Sequence, residues 1–267
     1  MKKVIILILI VFLFSTTISF ATSSLFTDVS KEKWYYPAIE FVSFKGYMIG
    51  YDNLFRPDDY ITRSEVATII QRMMESINDS EQQTIDTVLK VMPYCVSIYD
   101  KNSSGSGICI SGNYILTANH VVKQDTNILI NFYNNDSVYS NVKYRSEVYD
   151  LAILQMISPH FIFDKIKIAD DIQLAESVIA IGNPVGYSHT VSKGIVSNVN
   201  RKINSISHIQ FDAVVNHGNS GCPLFNSDGE LLGVVVSKLF DGVEGISFAI
   251  GYEKINQFLE DTIYKTQ

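Results

Sequence analysis

The densest chemistry in the chain lies at residues 216–225, Asn-His-Gly-Asn-Ser-Gly-Cys-Pro-Leu-Phe. A serine in a tight, glycine-bearing polar turn that runs into an apolar strand is how acyl-transfer enzymes present a hydroxyl. Gly218 can take backbone angles closed to other residues, which lets the amides of Gly218 and Ser220 converge on one point, where an oxyanion would sit. A plain β-turn between two strands explains the same run of residues. The distinction rests on the rest of the chain, because a serine hydroxyl needs a base and the base needs an acceptor to hold its tautomer.

Two upstream stretches supply those groups. Residues 114–122, Tyr-Ile-Leu-Thr-Ala-Asn-His-Val-Val, read as a strand, a turn and then His120. Residues 149–154, Tyr-Asp-Leu-Ala-Ile-Leu, set Asp150 at the start of an apolar strand, where its carboxylate is expected to be partly buried. Alone, each has an ordinary reading as a packed or surface histidine and a turn aspartate. With Ser220 they make nucleophile, base and orienter, in the order His120, Asp150, Ser220, which is not the Ser-Asp-His order of α/β-hydrolases. The run Gly218-x-Ser220-x-Cys222 also lacks the second glycine of a Gly-x-Ser-x-Gly elbow. His217 is the nearest rival base, but it is expected to face solvent or a pocket rim; His160, His189 and His208 have no supporting motif and are expected at the surface.

The elements that must position these residues are short strands. From residue 88 onward, β-rich stretches at 95–99, 107–110, 114–117, 127–132, 151–156, 177–181, 194–199, 209–215, 231–236 and 246–250 alternate with Gly, Asn, Asp and Ser, the pattern of a sandwich or barrels. Residues 253–259 have a helical period and close the chain with one helix packed on the barrels.

Residues 88–262 resemble the trypsin-like protease domain of the HtrA/Deg family. The matching motifs are Gly105-Ser106-Gly107, residues 114–122, Asp150-Leu151-Ala152-Ile153-Leu154, the Gly182-Asn183-Pro184-Val185-Gly186 run, Gly194-Ile195-Val196-Ser197, Asp212-Ala213 leading into 216–220, and residues 245–250. The resemblance implies a mainly β fold, a double six-stranded β-barrel. In it Ser220 attacks the scissile carbonyl, His120 acts as general base and then acid, Asp150 orients the imidazole, and the amides of Gly218 and Ser220 form the oxyanion hole. Val214 would lie at the floor of the pocket for the substrate side chain, with Val235, Val236 and Ser237 along its wall. The lack of a carboxylate there points to cleavage after small or medium aliphatic residues in unfolded or exposed polypeptides. No metal and no organic cofactor are implied. Two features depart from the family: Cys222 replaces the second glycine of Gly-Asn-Ser-Gly-Gly, and with 17 residues after Ile250 a PDZ domain is not expected.

Composition fits this reading. At 267 residues and 46% hydrophobic content, the chain can hold one ordinary domain and a small one. A net charge of −7 without a Lys/Arg cluster argues against a sequence-independent grip on nucleic acid. Cys95, Cys109 and Cys222 are odd in number and lack CxxC spacing, so at most one bridge forms; Cys222 is either a buried thiol or a partner of Cys109 or Cys95.

The N-terminal region adds an address. Lys2 and Lys3, the apolar run 4–14 and the small-residue pattern ending at Ala21 read as a signal peptide, residues 1–21, cleaved after Ala21, and place the protein outside the cytoplasm. Residues 22–75 form a helix-loop-helix module, with Gly46 stopping the first helix and Thr62 capping the second in a box with Glu65. This module resembles the S-layer homology domain through Phe26-x-Asp28-Val29, Trp34-Tyr35, Gly50-Tyr51 before Phe55-Arg56-Pro57, and Thr62-Arg63-Ser64-Glu65. That resemblance implies binding to secondary cell-wall polysaccharide at the surface of a Gram-positive-type bacterium, with Arg63 meeting acidic sugars and Trp34 stacking on a sugar face. Residues 76–87 are polar without an apolar period and read as a linker to the protease domain at 88–267. Competing readings are a catalytically inactive wall protein that binds peptides on a protease fold, and a polysaccharide esterase using the same serine.

Overall fold

The computed structural model describes residues 25–101, 103–123, 126–159, 162–237 and 245–266. The signal peptide and its cleavage site lie outside the described residues. The chain forms two compact units, Met1–Asp79 and Ser80–Gln267.

The first unit is built on a small aromatic core. Phe26, Val29 and Ile39 are buried, with Tyr35, Tyr36 and Phe55 packed on them. Helix α1 (Tyr36–Phe44) carries a proline in its first turn, where the missing N–H costs nothing. Helix α2 (Arg63–Val91) opens with the expected capping box: Thr62 N–H donates to Glu65 Oε2 at 2.7 Å, and Glu65 N–H to Thr62 Oγ1 at 3.2 Å. The loop between the helices is tied to the start of the module by Asp28, whose carboxylate accepts the N–H groups of Phe55 (2.9 Å) and Arg56 (2.6 Å).

Residues 76–87, read from sequence as a linker, are helical throughout and belong to α2. The stretch contains neither proline nor glycine, and its Glu, Gln and Thr residues sustain a helix even though Asn78, Asp79 and Ser80 lower the propensity locally. Lack of an apolar period removes the signal of burial, not the helix itself. The boundary between the two units falls inside this helix.

The second unit is a pair of closed barrels. The first contains β1 (Cys95–Asp100), β2 (Ser103–Ser111), β3 (Tyr114–Ala118), β4 (Ile128–Phe132), β5 (Ser137–Ser146) and β6 (Leu151–Met156), in the order β1-β2-β3-β6-β5-β4. The second contains β7 (Ser177–Gly182), β8 (Thr190–Ile203), β9 (Ile206–Phe211), β10 (Pro223–Phe225), β11 (Leu231–Ser237) and β12 (Ser247–Gly251), in the order β10-β11-β12-β9-β8-β7. This is the mainly β, double six-stranded architecture expected from the sequence. All neighbouring strands are antiparallel. Closure satisfies every edge, so the barrels need no outside partner for their backbone groups.

One apolar cluster fills the first barrel and continues into the second through Ile179, Ile181, Phe225, Val234 and Val236, and a smaller cluster lies within the second. Ile98, Ile108, Ile115, Leu116, Ile130 and Ile153 are fully buried in the first; Phe211, Leu224, Leu232 and Cys222 in the second. Helix α3 (Tyr252–Thr262) buries Ile255, Phe258 and Leu259 against the first cluster. The last turns of α2 are held to the second barrel through Thr87 Oγ1 on Ser227 C=O (2.6 Å) and Lys90 Nζ on Asp228 C=O (2.9 Å).

Asp28 gives the small unit a pH dependence. The N–H of Phe55, reinforced by that of Arg56, holds its carboxyl below the ordinary value of 3.8. Its stabilisation is complete above that value and is lost as pH falls through the lower, folded one. Unfolding of this unit, followed by circular dichroism, is expected to become easier below about pH 4, and Asp28→Asn to flatten that dependence.

Candidate active site

Strand register brings His120 and Asp150 together. Ala118 at the end of β3 pairs with Leu151 at the start of β6, so the residues just beyond both strands meet at the same rim of the first barrel. His120 follows in a single turn of 3₁₀ helix, Asn119–Val121. Asn119 N–H donates to Asp150 C=O at 2.9 Å, His120 N–H to Asp150 Oδ1 at 2.9 Å, and His120 Nδ1 lies 2.6 Å from Asp150 Oδ2. Asp150 adopts φ +50°, which turns its carboxylate back onto the 119–120 turn. Its side chain is 35% exposed, partly buried as expected, and that of His120 is 45% exposed. A carboxylate on Nδ1 fixes the tautomer that leaves Nε2 as the proton acceptor.

Arg145, on β5, supports this turn from outside. Its guanidinium reaches Asn119 Oδ1 (2.8 Å) and Val122 C=O (2.5 Å). The strand that carries it is absent from the sequence reading, because β5 alternates polar and exposed positions and buries only Ser140.

Ser220 comes from the second barrel, on the turn before β10. Gly105 shows how closely the two sides approach: a Cβ placed on it would lie 2.5 Å from a Val121 methyl and 2.9 Å from Ser220 C=O. The turn beside His120 and the turn of Ser220 therefore meet across a residue with no side chain. Ser220 Oγ makes no hydrogen bond to the imidazole among the described residues, a contact that often tightens only when substrate is bound.

The 217–221 turn is fixed by its carbonyls. Val185 N–H donates to His217 C=O (2.8 Å), Ser106 Oγ to Gly218 C=O (2.7 Å), Cys222 N–H to Asn219 C=O (2.9 Å) and Ser106 N–H to Ser220 C=O (2.9 Å). Among the described residues, the N–H groups of Gly218 and Ser220 donate to nothing in the protein. Gly218 sits at φ +97°, and a Cβ there would lie 2.1 Å from Asn183 C=O, so only glycine fits. Two free donors on one turn, beside a serine and across from a histidine–aspartate pair, can bind a developing oxyanion and move a proton.

The remaining expected residues fall as follows. His217 lies exposed on the turn. His189 and His208 are half-buried, not at the surface: His189 Nε2 lies 3.1 Å from Cys95 C=O, His208 packs edge-on to Phe248, and burial lowers the pKa of both. His160 lies outside the described residues. Val214 is 66% exposed and is not a closed floor. The alternation along 213–215 turns Ala213 and Val215 inward and Val214 outward. The side chains of Val235 and Val236 are buried in the two cores and do not face a pocket, so only their backbone is open to a substrate. Cys222 is a buried free thiol, as are Cys95 and Cys109, and burial pushes its pKa up. Its side chain fills the second core, and the oxyanion turn keeps its form.

Ser106, which stands in the sequence only as part of a Gly-Ser-Gly run, and Asn183 beside it carry no sequence signal of a place at the site; their contacts are long-range. Two surface cavities on the second barrel, about 220 and 450 Å³, include none of His120, Asp150 and Ser220 in their walls. Among the described residues no cluster of His, Cys, Asp and Glu is placed to hold a metal ion.

Comparison with known proteins agrees with this geometry. Residues 105–234 match the trypsin-like peptidase domain, and residues 25–67 match the S-layer homology domain. The chain carries an HtrA-like trypsin fold behind an S-layer homology domain. It is 32% identical over 233 residues to the serine protease Do-like HtrA of Bacillus subtilis, covering 80% of this chain and 51% of that protein. It is 31% identical over 227 residues to serine protease HTRA1A of Danio rerio, covering 76% and 46%. A crystal structure of the serine endoprotease from Yersinia pestis superposes with a TM-score of 0.60 at 29% identity, over 68% of this chain and 67% of that one. The chain thus spans about half the length of the first of these curated relatives.

Gly218→Ala tests the turn of the HtrA-like domain. With the Cβ driven into Asn183 C=O, the free amides lose their convergence, and the rate of labelling by a serine-directed fluorophosphonate is expected to fall about a hundredfold or more.

Proposed function

We propose that the protein is a secreted serine endopeptidase held at the cell wall by its S-layer homology domain. The observation that carries the reading is the 2.6 Å His120–Asp150 pair set across from a turn whose Gly218 and Ser220 amides are free. Ser220 Oγ attacks the peptide carbonyl carbon as His120 Nε2 takes its proton. Asp150 stabilises the imidazolium, and the Gly218 and Ser220 N–H groups receive the oxyanion. Collapse of the tetrahedral species breaks the C–N bond, and the leaving amine takes the proton from His120. Water then repeats the sequence on the acyl-enzyme and frees Ser220. None of Val214, Val235, Val236 and Ser237, the positions assigned to the substrate pocket, carries a charge, which favours a small aliphatic side chain such as Val or Ala.

Wall attachment rests on the first unit. Trp34 is 87% exposed and Arg63 is exposed at the start of α2, so a flat ring and a guanidinium fork are both available to acidic sugars. HtrA-like relatives include proteins named as periplasmic, which fits an extracytoplasmic role for this chain.

Two measurements test the reading. Fluorophosphonate labelling and digestion of unfolded casein are expected in the chain lacking residues 1–21, with cuts after Val or Ala and all labelling lost in Ser220→Ala. Asp150→Asn is expected to lower kcat by about 10⁴ with the fold intact, since it leaves the imidazole in the wrong tautomer. A folded, unlabelled wild type would favour a peptide-binding protein without catalysis; cleavage of acetylated sugars but not of peptides would favour an esterase. For the wall, Arg63→Ala is expected to reduce retention on purified cell-wall sacculi while leaving casein digestion unchanged, and equal retention would remove Arg63 from the binding site.

A further inference from the structure

We infer that Ser106, a residue of the first barrel, is a positioning residue for the oxyanion hole of the second; the inference rests on the proposed endopeptidase reading. Ser106 is fully buried in β2. Its Oγ accepts the N–H of Asn183 at 2.9 Å and lies 2.7 Å from Gly218 C=O. A hydroxyl has one proton, and with Asn183 already donating to the oxygen, that proton is directed onto Gly218 C=O.

The effect on the reaction follows from peptide planarity. Gly218 N–H shares a rigid plane with His217 C=O, and Ser220 N–H with Asn219 C=O. Val185 and Cys222 hold those two carbonyls through backbone N–H groups. The peptide between the two planes, joining Gly218 to Asn219, has its carbonyl held by a side chain, that of Ser106. If this middle plane rotates, the two flanking amides cease to point at one oxygen. At φ +97°, Gly218 has no Cβ to resist such a rotation; Asn219 N–H on Asn216 C=O (3.0 Å) holds one end of this plane, and its carbonyl end is held from the other barrel. Ser106 Oγ fixes that carbonyl end, and the Ser106 N–H on Ser220 C=O holds the Ser220–Gly221 peptide further along the turn. Ser106 therefore acts through Gly218 and Ser220 and does not itself contact substrate.

The test compares Ser106→Ala, Ser106→Gly and Ser106→Thr with the wild-type chain lacking residues 1–21. For a peptide substrate, kcat in the Ala variant is expected to fall about tenfold to a hundredfold with KM changed less than about twofold, because the lost restraint matters only once charge develops on oxygen. Affinity for a peptide boronic acid, whose tetrahedral adduct places an oxygen between the two amides, and the rate of fluorophosphonate labelling should fall by a similar factor. Ser106→Thr, which keeps the Oγ, should recover most of the loss. If the Ala variant does not fold, Ser106→Gly makes the same comparison, removing the hydroxyl while leaving room for water. Full kcat in a folded Ala or Gly variant, or a loss that Thr does not recover and that follows KM, would overturn the inference. A wild type that takes no label would instead overturn the assignment of Ser220, so the two failures are distinguishable.

Discussion

Everything at the site depends on the contact between β2 of the first barrel and the 217–221 turn of the second. Each barrel closes on itself, so neither requires the other for the hydrogen bonds of its strands, but their apolar cores join: Ile181, Phe225, Val234 and Val236 of the second belong to one cluster with Ile98, Ile115 and Ile153 of the first. His120 and Asp150 stand on the rim of the first barrel, whereas Ser220 and the two free amides belong to the second. Ser106 joins them with its N–H on Ser220 C=O and its Oγ on Gly218 C=O. These bonds lie in a buried place where an unmet carbonyl would cost about 1–3 kcal/mol, which makes the docked arrangement of the barrels strongly preferred over a loosened one. The geometry of the site is thus a property of the junction between the two barrels.

Much of this was legible in the sequence because the chemistry is local to short motifs. His120, Asp150 and Ser220 each stand at a strand end, and apolar runs such as 151–156 and 231–236 mark the strands that hold them. The capping box at Thr62 and Glu65 could be read for the same reason, since both partners lie within one helical turn. What stayed hidden depends on long-range pairing. Strand β5 shows no apolar run, because its outward positions face solvent and its inward ones are few. The outward turn of Val214 and the burial of His189 and His208 are set by neighbours far along the chain. So is the role of Ser106, whose partners lie 77 and 112 residues away.

Cys222 illustrates how a local departure can be absorbed. In the turn it stands where a glycine is usual, but its side chain points into the apolar filling of the second barrel beside Leu224 and Ala180, and its backbone keeps both bonds that the turn requires: N–H to Asn219 C=O, and C=O from Val235 N–H. Burial keeps the thiol protonated and away from solvent, so it behaves as a small hydrophobic residue. The same holds for Cys95 and Cys109, which are buried and unpaired, leaving stability to the barrels and not to cross-links.

Helix α2 bears on how long such a protein stays whole. An endopeptidase takes its substrate as an extended strand, and a segment that enters such a site has to be unwound over several residues first. The passage between the two units is an unbroken helix without proline or glycine, capped at its start and pinned at its end by Thr87 and Lys90. A flexible tether at that place would be the natural point for a protease to cut. By remaining coiled, the junction withholds its peptide bonds from any endopeptidase, and its exposure to cleavage is set by how often that helix opens.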